Sequence, residues 1–214
     1  MTKSCVSAAV LAATALATAA NAGYTITQTL AATPTYGTVL NFDAPGSPTG
    51  SVNSSDFSSY GVTSLDSGVG PGGYVAQMNT TPGYSWLGTG NVFTGAYGAY
   101  MKFSTQVSSL SAQYWDDSGP GSFFGGGATV VLYKSGVEVG SLFINNPAFN
   151  SSGKSWINVT TTGGDTFDEI NFVGFGSAVA DAYIDNISWN KVPAPSATAL
   201  LALGGLVAGR RRRA

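Results

Sequence analysis

Thr129-Val-Val-Leu-Tyr-Lys134, Ser135-Gly136 and Val137-Glu-Val-Gly-Ser-Leu-Phe-Ile144 follow one another directly in the chain and together predict a β-hairpin. Both outer segments are rich in β-branched residues, which favour strands. Two residues join them, and the glycine can adopt the positive φ that such a short turn requires. We therefore predict two antiparallel strands here, Ala128–Lys134 and Val137–Ile144.

Between Tyr24 and Asn190, similar β-rich segments recur with no convincing 3.6-residue periodicity. Glycine and proline clusters separate them. The other predicted strands are Tyr24–Thr29, Thr38–Phe42, Gly61–Leu65, Tyr74–Asn79, Ala99–Ser104, Ser109–Trp115, Ser155–Thr160, Glu169–Phe175 and Ala182–Trp189. Because no helices intervene, we predict an all-β fold, a two-sheet antiparallel sandwich of the jelly-roll type. A β-solenoid is the alternative, but no fixed period supports it.

The apolar positions of these strands predict the core of the sandwich. Its expected members, or their near neighbours, are Val39, Phe42, Val75, Met101, Phe103, Leu110, Val131, Leu142, Ile157, Ile170, Phe172, Ile184 and Ile187.

Composition excludes several kinds of chemistry. The chain has no histidine, and its one cysteine, Cys5, lies in a segment that we expect to be removed. A disulfide, a Cys/His zinc site and Ser-His or Cys-His nucleophilic catalysis are therefore excluded from the body of the protein. Four lysines and 11 acidic residues lie between Gly23 and Lys191, a net charge of −7. A domain this acidic should repel nucleic acid.

Residues 1–22 have the features of a secretory signal peptide. Lys3 supplies a positive start, an apolar run follows, and Ala20 and Ala22 give the small-x-small pattern that signal peptidase recognises. Cleavage after Ala22 would leave Gly23 as the first residue. The alternative is an N-terminal anchor or a buried helix. We expect the sandwich domain to occupy residues 23–190 and a sorting tail residues 191–214.

The tail begins with Val192, Pro193, Ala194, Pro195 and Ser196, continues with a short apolar run to Gly209, and ends with Arg210, Arg211, Arg212 and Arg213. Proline favours an extended linker, and an arginine block stays on the cytoplasmic side of a membrane. Ser196 to Gly209 spans only about 21 Å as a helix, less than a bilayer core. This favours transient membrane insertion. The alternative is a disordered, charged tail.

This tail resembles the PEP-CTERM sorting signal of bacteria, with Ala194 where that family most often has glutamate. The resemblance implies export, with an exosortase-type processing enzyme and signal peptidase as partners, and placement at the cell envelope or the extracellular surface. The mature product would end near Pro193.

The body is similar to jelly-roll ectodomains that precede such tails, on Leu40-Asn-Phe-Asp43, Tyr60-Gly-Val62, Phe167-Asp-Glu-Ile-Asn-Phe-Val-Gly-Phe175 and Ala182-Tyr-Ile-Asp-Asn-Ile-Ser188. The last segment is similar to the final strand of carbohydrate-binding modules. This resemblance implies that Asp43 and Asp185 bind a structural Ca²⁺, whose ligands are oxygens. The alternative is that both are ordinary turn or cap residues.

Several aromatic residues are candidates for stacking on sugar rings. Tyr84, Trp86 and Trp115 are the main ones, and the wider set adds Tyr97, Tyr100, Phe123, Phe124 and Trp156.

The leading hypothesis is an exported, envelope-sorted binding or structural protein associated with extracellular polysaccharide, and not an enzyme. One alternative is a small carboxylate-dependent polysaccharide-degrading enzyme, and Asp116-Asp117 and Asp168-Glu169 are its only adjacent acid pairs. The other is a passive surface or biofilm-matrix protein without a small ligand.

Overall fold

A computed structural model of the chain describes residues 15–21, 23–30, 33–77, 90–116, 127–145, 155–174 and 181–193. Most of these residues lie in antiparallel strands, and their one helical element is a short 3-10 turn, Ser58–Tyr60. Nowhere in these ranges is a helix long and apolar enough to cross a membrane. The apolar helix and arginine cluster predicted within 194–214 lie outside the described residues.

The strands, in chain order, are β1 (Ala15–Asn21), β2 (Tyr24–Thr29), β3 (Thr38–Leu40), β4 (Gly50–Val52), β5 (Val62–Ser67), β6 (Gly73–Ala76), β7 (Val92–Ala96), β8 (Gly98–Asp116), β9 (Gly127–Lys134), β10 (Val137–Asn145), β11 (Ser155–Thr161), β12 (Phe167–Gly174) and β13 (Asp181–Lys191). The fold is therefore all-β, as the sequence predicts.

Strand β8 belongs to both layers of the sandwich. Its first part pairs with β5 as far as Phe103 and with β12 as far as Val107, and β9 and β10 continue that layer, which we call sheet II. Its second part pairs with β13 from Val107 onward and with β11 from Ser109 onward. That layer, sheet I, runs in the order β1-β2-β11-β8-β13-β7-β6-β4, with β3 also on β13.

The core lies between the two sheets. The ring of Tyr114, from sheet I, stacks on Phe172, from sheet II, with centroids 5.3 Å apart. Trp189 contacts Phe103 at 5.2 Å. Each apolar side chain of this size that is fully buried contributes about 1.5–3 kcal/mol to folding. Because side chains alternate along each strand, the same burial leaves the opposite residues on the outer faces of the two sheets.

The predicted core is largely confirmed, with two exceptions, Val39 and Val131. Val39 is 44% exposed, and its neighbour Leu40 is buried instead. Phe42 is fully buried, as predicted. Leu142 is partly buried and packs at the rim of the core.

Val131 is buried, but outside the core between the sheets. The alternation places it on the outer face of sheet II, because Val130 and Leu132 fill the core side. Part of this outer face is therefore shielded from solvent.

The predicted strands also differ from the structure in three places. Two predicted segments, Ala99–Ser104 and Ser109–Trp115, form the single long strand β8. The short strands β4 and β7 are absent from the prediction. Residues Ala15–Asn21, within the predicted signal peptide, form β1 and pair with β2. The signal peptide itself stays a prediction.

Candidate functional site

The predicted sorting motif begins where the last strand ends. β13 ends at Lys191, and the backbone N–H of Val192 donates to the carbonyl of Gln106 at 2.8 Å. Pro193 is the last described residue. Ala194, Pro195, Ser196 and the four arginines Arg210, Arg211, Arg212 and Arg213 lie outside the described residues, as does Ala22. Ala20 pairs with Thr25 across β1 and β2.

Asp43, one of the two predicted calcium ligands, is exposed and closes a loop. Its Oδ1 accepts a hydrogen bond from the backbone N–H of Asn91 at 2.6 Å. A Cβ at Gly90 would lie 2.2 Å from Oδ2, so the missing side chain of this glycine makes room for the carboxylate. The arrangement ties the end of β3 to the start of β7.

Asp185, the second predicted ligand, is buried at an irregular point of β13. Its Oδ1 accepts from the N–H of Asn186 at 2.6 Å, and its Oδ2 accepts from Nδ2 of the same residue at 3.0 Å. Across the described ranges, no group of three or more His, Cys, Asp or Glu side chains could hold a metal ion. Both carboxylates thus have partners within the chain, and calcium binding stays a prediction.

The predicted sugar-stacking residues differ in position and in exposure. Tyr84, Trp86, Phe123 and Phe124 lie outside the described residues. Trp115 lies on the outer side of sheet I but is only 3% exposed, so a sugar ring could reach it only if its neighbours moved. Tyr97 occupies a turn with φ 61°. Trp156 is half-buried, and Tyr100 lies on sheet II.

The outer face of sheet II combines two tyrosines with three polar side chains. We call it the tyrosine face, and it comprises Tyr100, Lys102, Tyr133, Glu169 and Asn171. On the central strand β12, Asn171 pairs with Tyr100 of β8, and Glu169 pairs with Tyr133 of β9. Met101, Leu132 and Ile170 are buried on the core side, which directs their strand neighbours outward.

The ring of Tyr100 is directed along β8 toward Gly98. A Cβ at Gly98 would lie 3.1 Å from its Cε1, so the ring fits over the position of this glycine. Burial raises the pKa of the Tyr100 hydroxyl above its ordinary value, and the neighbouring Tyr133 raises that pKa further. The Tyr100 hydroxyl is therefore neutral and available as a hydrogen-bond donor at physiological pH.

A chain of polar contacts joins the other three members of the tyrosine face. Nδ2 of Asn171 donates to Oε1 of Glu169 at 2.8 Å, and Oε2 of Glu169 lies 3.5 Å from the ammonium of Lys102. Oδ1 of Asn171 is buried and accepts no hydrogen bond within the described part of the chain. Buried polar atoms nearly always have a partner, so this free acceptor indicates a place where another molecule could donate.

The two acids of the Asp168-Glu169 pair have separate partners. Asp168 accepts from Nε2 of Gln106 at 2.7 Å and from the backbone N–H of Ser135 at 3.0 Å. Glu169 belongs to the tyrosine face. This separation follows from the strand alternation and gives the pair no shared substrate position.

The sequence identified Tyr100 as a candidate but missed Tyr133, Glu169 and Asn171 as members of one face. Alternation within β9 and β12 does predict that Tyr133 points to the same side as Val131, and Glu169 to the same side as Asn171. The missing information was which strands are neighbours, because β8, β9 and β12 are distant in sequence.

Comparisons with known proteins add a structural likeness. No protein-family model and no curated protein matches the chain. Among solved structures, CsCBM6-3 from Clostridium stercorarium, determined in complex with cellobiose, is similar over 67% of this chain and 95% of its own, with 14% sequence identity and a TM-score of 0.34. A likeness of this size carries no conclusion about the function of the chain.

Proposed function

We propose that this protein is an exported, envelope-sorted β-sandwich that binds extracellular polysaccharide through the tyrosine face and is not an enzyme. One observation carries the proposal. Two tyrosines on the strands either side of β12, Tyr100 opposite Asn171 and Tyr133 opposite Glu169, border a buried asparagine, Asn171, whose side-chain oxygen accepts no hydrogen bond within the described residues.

The composition of the face suits a saccharide. A sugar ring has an apolar C–H side that packs on an aromatic ring, and hydroxyl groups that need hydrogen-bond partners. Tyr100 and Tyr133 supply the rings. Asn171, Glu169 and Lys102 supply an amide, a carboxylate and an ammonium within one connected set. Binding sites usually combine apolar area with a few convergent polar groups in this way.

Two observations favour binding over catalysis. The chain has no histidine. Glycoside hydrolysis needs two carboxyl groups across one bond, and the acids of the Asp168-Glu169 pair engage different partners. Glu169, the one carboxylate of the tyrosine face, is already engaged by Lys102 and by Nδ2 of Asn171.

The sorting part of the proposal rests on the two ends of the sequence. Signal peptidase would cleave after Ala22, and an exosortase-type enzyme would act on the tail after its transient insertion into the membrane. The position of Val192 supports this division, because the body contacts the tail at the carbonyl of Gln106, immediately after β13 ends. The sequence beyond this point would be available for processing.

A glycan-binding experiment with tyrosine variants tests the proposed function. The protein is run by affinity electrophoresis through gels that contain one soluble polysaccharide each, from a panel of neutral and acidic polymers. We expect retardation by at least one polymer, and a loss of affinity of roughly tenfold in Tyr100→Ala and in Tyr133→Ala, since a good aromatic contact is worth about 1.4 kcal/mol.

Tyr74→Ala is the matched control. Tyr74 is 47% exposed on β6 of sheet I, so it is a surface tyrosine outside the tyrosine face. We expect this variant to bind like the unchanged protein. Absence of binding to every polymer, or an equal loss in the Tyr74 variant, would contradict the proposal.

A further inference from the structure

We infer that the tyrosine face takes a neutral glycan, one rich in hydroxyl groups and free of carboxylate and sulfate, and that Asn171 accepts a hydrogen bond from a glycan hydroxyl. The inference rests on the proposed function and names its ligand class. Two independent features of the face carry it, namely its charge and the chemistry of its free acceptor.

The charge of the face is unfavourable to an anionic sugar. Lys102 is its only basic residue among those described, and Glu169 already engages it at 3.5 Å. Two further acids border the face in register: Asp66 is opposite Tyr100, and Glu138 is opposite Tyr133. Recognition of carboxylate or sulfate normally uses unpaired basic side chains, and the described part of this surface has none.

The free acceptor of Asn171 gives a separate argument about the ligand. Nδ2 of Asn171 is occupied by Glu169, so the unsatisfied group is Oδ1, which needs a donor. An ionised carboxylate or a sulfate can only accept hydrogen bonds, whereas every sugar hydroxyl can donate one. A glycan hydroxyl therefore supplies what this position lacks, and the charge of the face favours a neutral glycan over an anionic one.

Access to Asn171 requires a side-chain movement. The residue is 9% exposed, in the row of the sheet that holds Tyr100 and Val131. Tyr100, the cross-strand neighbour of Asn171, is only half-buried, and a change of its rotamer is the movement that we assign to the opening of this site. Once the tyrosine ring has moved, a sugar ring could occupy the space that it leaves. A hydroxyl of that sugar would then donate to Oδ1 of Asn171.

Folding alone does not account for Asn171. A buried acceptor without a partner opposes folding, and an apolar residue of similar volume would fill the position without that penalty. If Asn171 is retained for a ligand, its replacement should improve stability while it weakens binding. A merely structural asparagine would show the opposite pattern.

The experiment measures binding and stability in the same set of proteins. Affinity electrophoresis at two salt concentrations compares neutral polymers (hydroxyethylcellulose, galactomannan and dextran) with anionic ones (alginate and polygalacturonate). We expect at least one neutral polymer to bind tenfold more tightly than either anionic polymer at both concentrations. Asn171→Leu should lose that neutral binding by tenfold or more, with a melting temperature equal to or above that of the unchanged protein.

Lys191→Met provides the control for charge, since Lys191 is exposed at the end of β13, outside the tyrosine face. Because a neutral glycan does not need the ammonium, binding should stay within about twofold of the unchanged protein. Unchanged glycan binding in Asn171→Leu, with a lowered melting temperature, would overturn the inference. Preferential binding of alginate or polygalacturonate that Tyr100→Ala abolishes would also overturn it while leaving the proposed function intact. If no polymer binds, both this inference and the proposed function are contradicted.

Discussion

Asn186 holds an unusual backbone conformation in the middle of β13, with φ 46°. Asparagine tolerates this left-handed region better than most residues. Its Nδ2 donates to Oε1 of Gln113 at 2.8 Å and to Oδ2 of Asp185 at 3.0 Å. The irregularity lies between Ile184, where pairing with β7 ends, and Ile187, where pairing with β3 begins. One residue thus enables β13 to change partner strands.

Replacement of Asn186 tests this role. We expect Asn186→Ala to lower the free energy of unfolding by about 2 kcal/mol, because alanine is strained at this φ and the hydrogen bonds to Gln113 and Asp185 are lost. Asn186→Gly loses the same hydrogen bonds without the strain and should cost about 1 kcal/mol less than Asn186→Ala. Urea denaturation followed by tryptophan fluorescence measures both. Equal costs would show that the backbone conformation is not the source of the effect.

The predictability of single residues differs between the core and the site. Phe42, Met101 and Ile184 could be assigned to the core because an apolar residue on an amphipathic strand has one favourable direction. Asn171 could not be recognised, because its significance depends on a missing hydrogen-bond partner and on neighbours from β8 and β9. Sequence gives the direction of a side chain far more readily than its partners.

At the scale of elements, the β9–β10 hairpin is the clearest case of local sequence control. Ser135 and Gly136 have φ values of 52° and 79°, so both central residues of the turn are left-handed. This is the pattern of a type I′ turn, which favours Asn-Gly. The backbone N–H of Ser135 also donates to Asp168, which joins the turn to β12.

Two substitutions in this turn should have opposite effects. Ser135→Asn should raise the free energy of unfolding by about 0.5–1 kcal/mol, because asparagine adopts a positive φ more easily and the backbone donor remains. Gly136→Ala should lower the free energy of unfolding by about 1 kcal/mol, because alanine is strained at the positive φ that glycine adopts here. Thermal denaturation followed by circular dichroism measures both changes. Shifts in the same direction for the two variants would argue against a type I′ turn.

Elements far from such turns are harder to predict. The sequence between Ser104 and Ser109 suggests a break, yet β8 continues through it, because this strand pairs with sheet II before that point and with sheet I after it. Val39 and Leu40 are exchanged as core residues, since β3 has only three residues and too short an alternation to fix its register. Pairing with distant strands therefore determines both the continuity of β8 and the register of β3.

The whole molecule raises the question of where the folded body begins. Strand β1 pairs with β2 from Ala15 to Asn21, within the segment that the sequence predicts to be a signal peptide. On its other side, β2 pairs with β11 through six residue pairs. The core side chains for which burial is described run from Tyr24 to Trp189. The pairing of β2 with β11 does not require β1.

We accordingly expect a chain running from Gly23 to Pro193 to fold without β1. A strand at the edge of a sheet adds backbone hydrogen bonds worth roughly 0.5–1.5 kcal/mol each, and most of that gain is offset by the loss of about 1–2 kcal/mol of conformational entropy per ordered residue. A chain from Thr14 to Pro193, which keeps β1, is the matched comparison. Both should unfold in one cooperative transition, with melting temperatures within a few degrees, as circular dichroism can measure. If the shorter chain has no cooperative transition while the longer one does, β1 belongs to the folded body, and cleavage after Ala22 would then remove a strand that the sandwich needs.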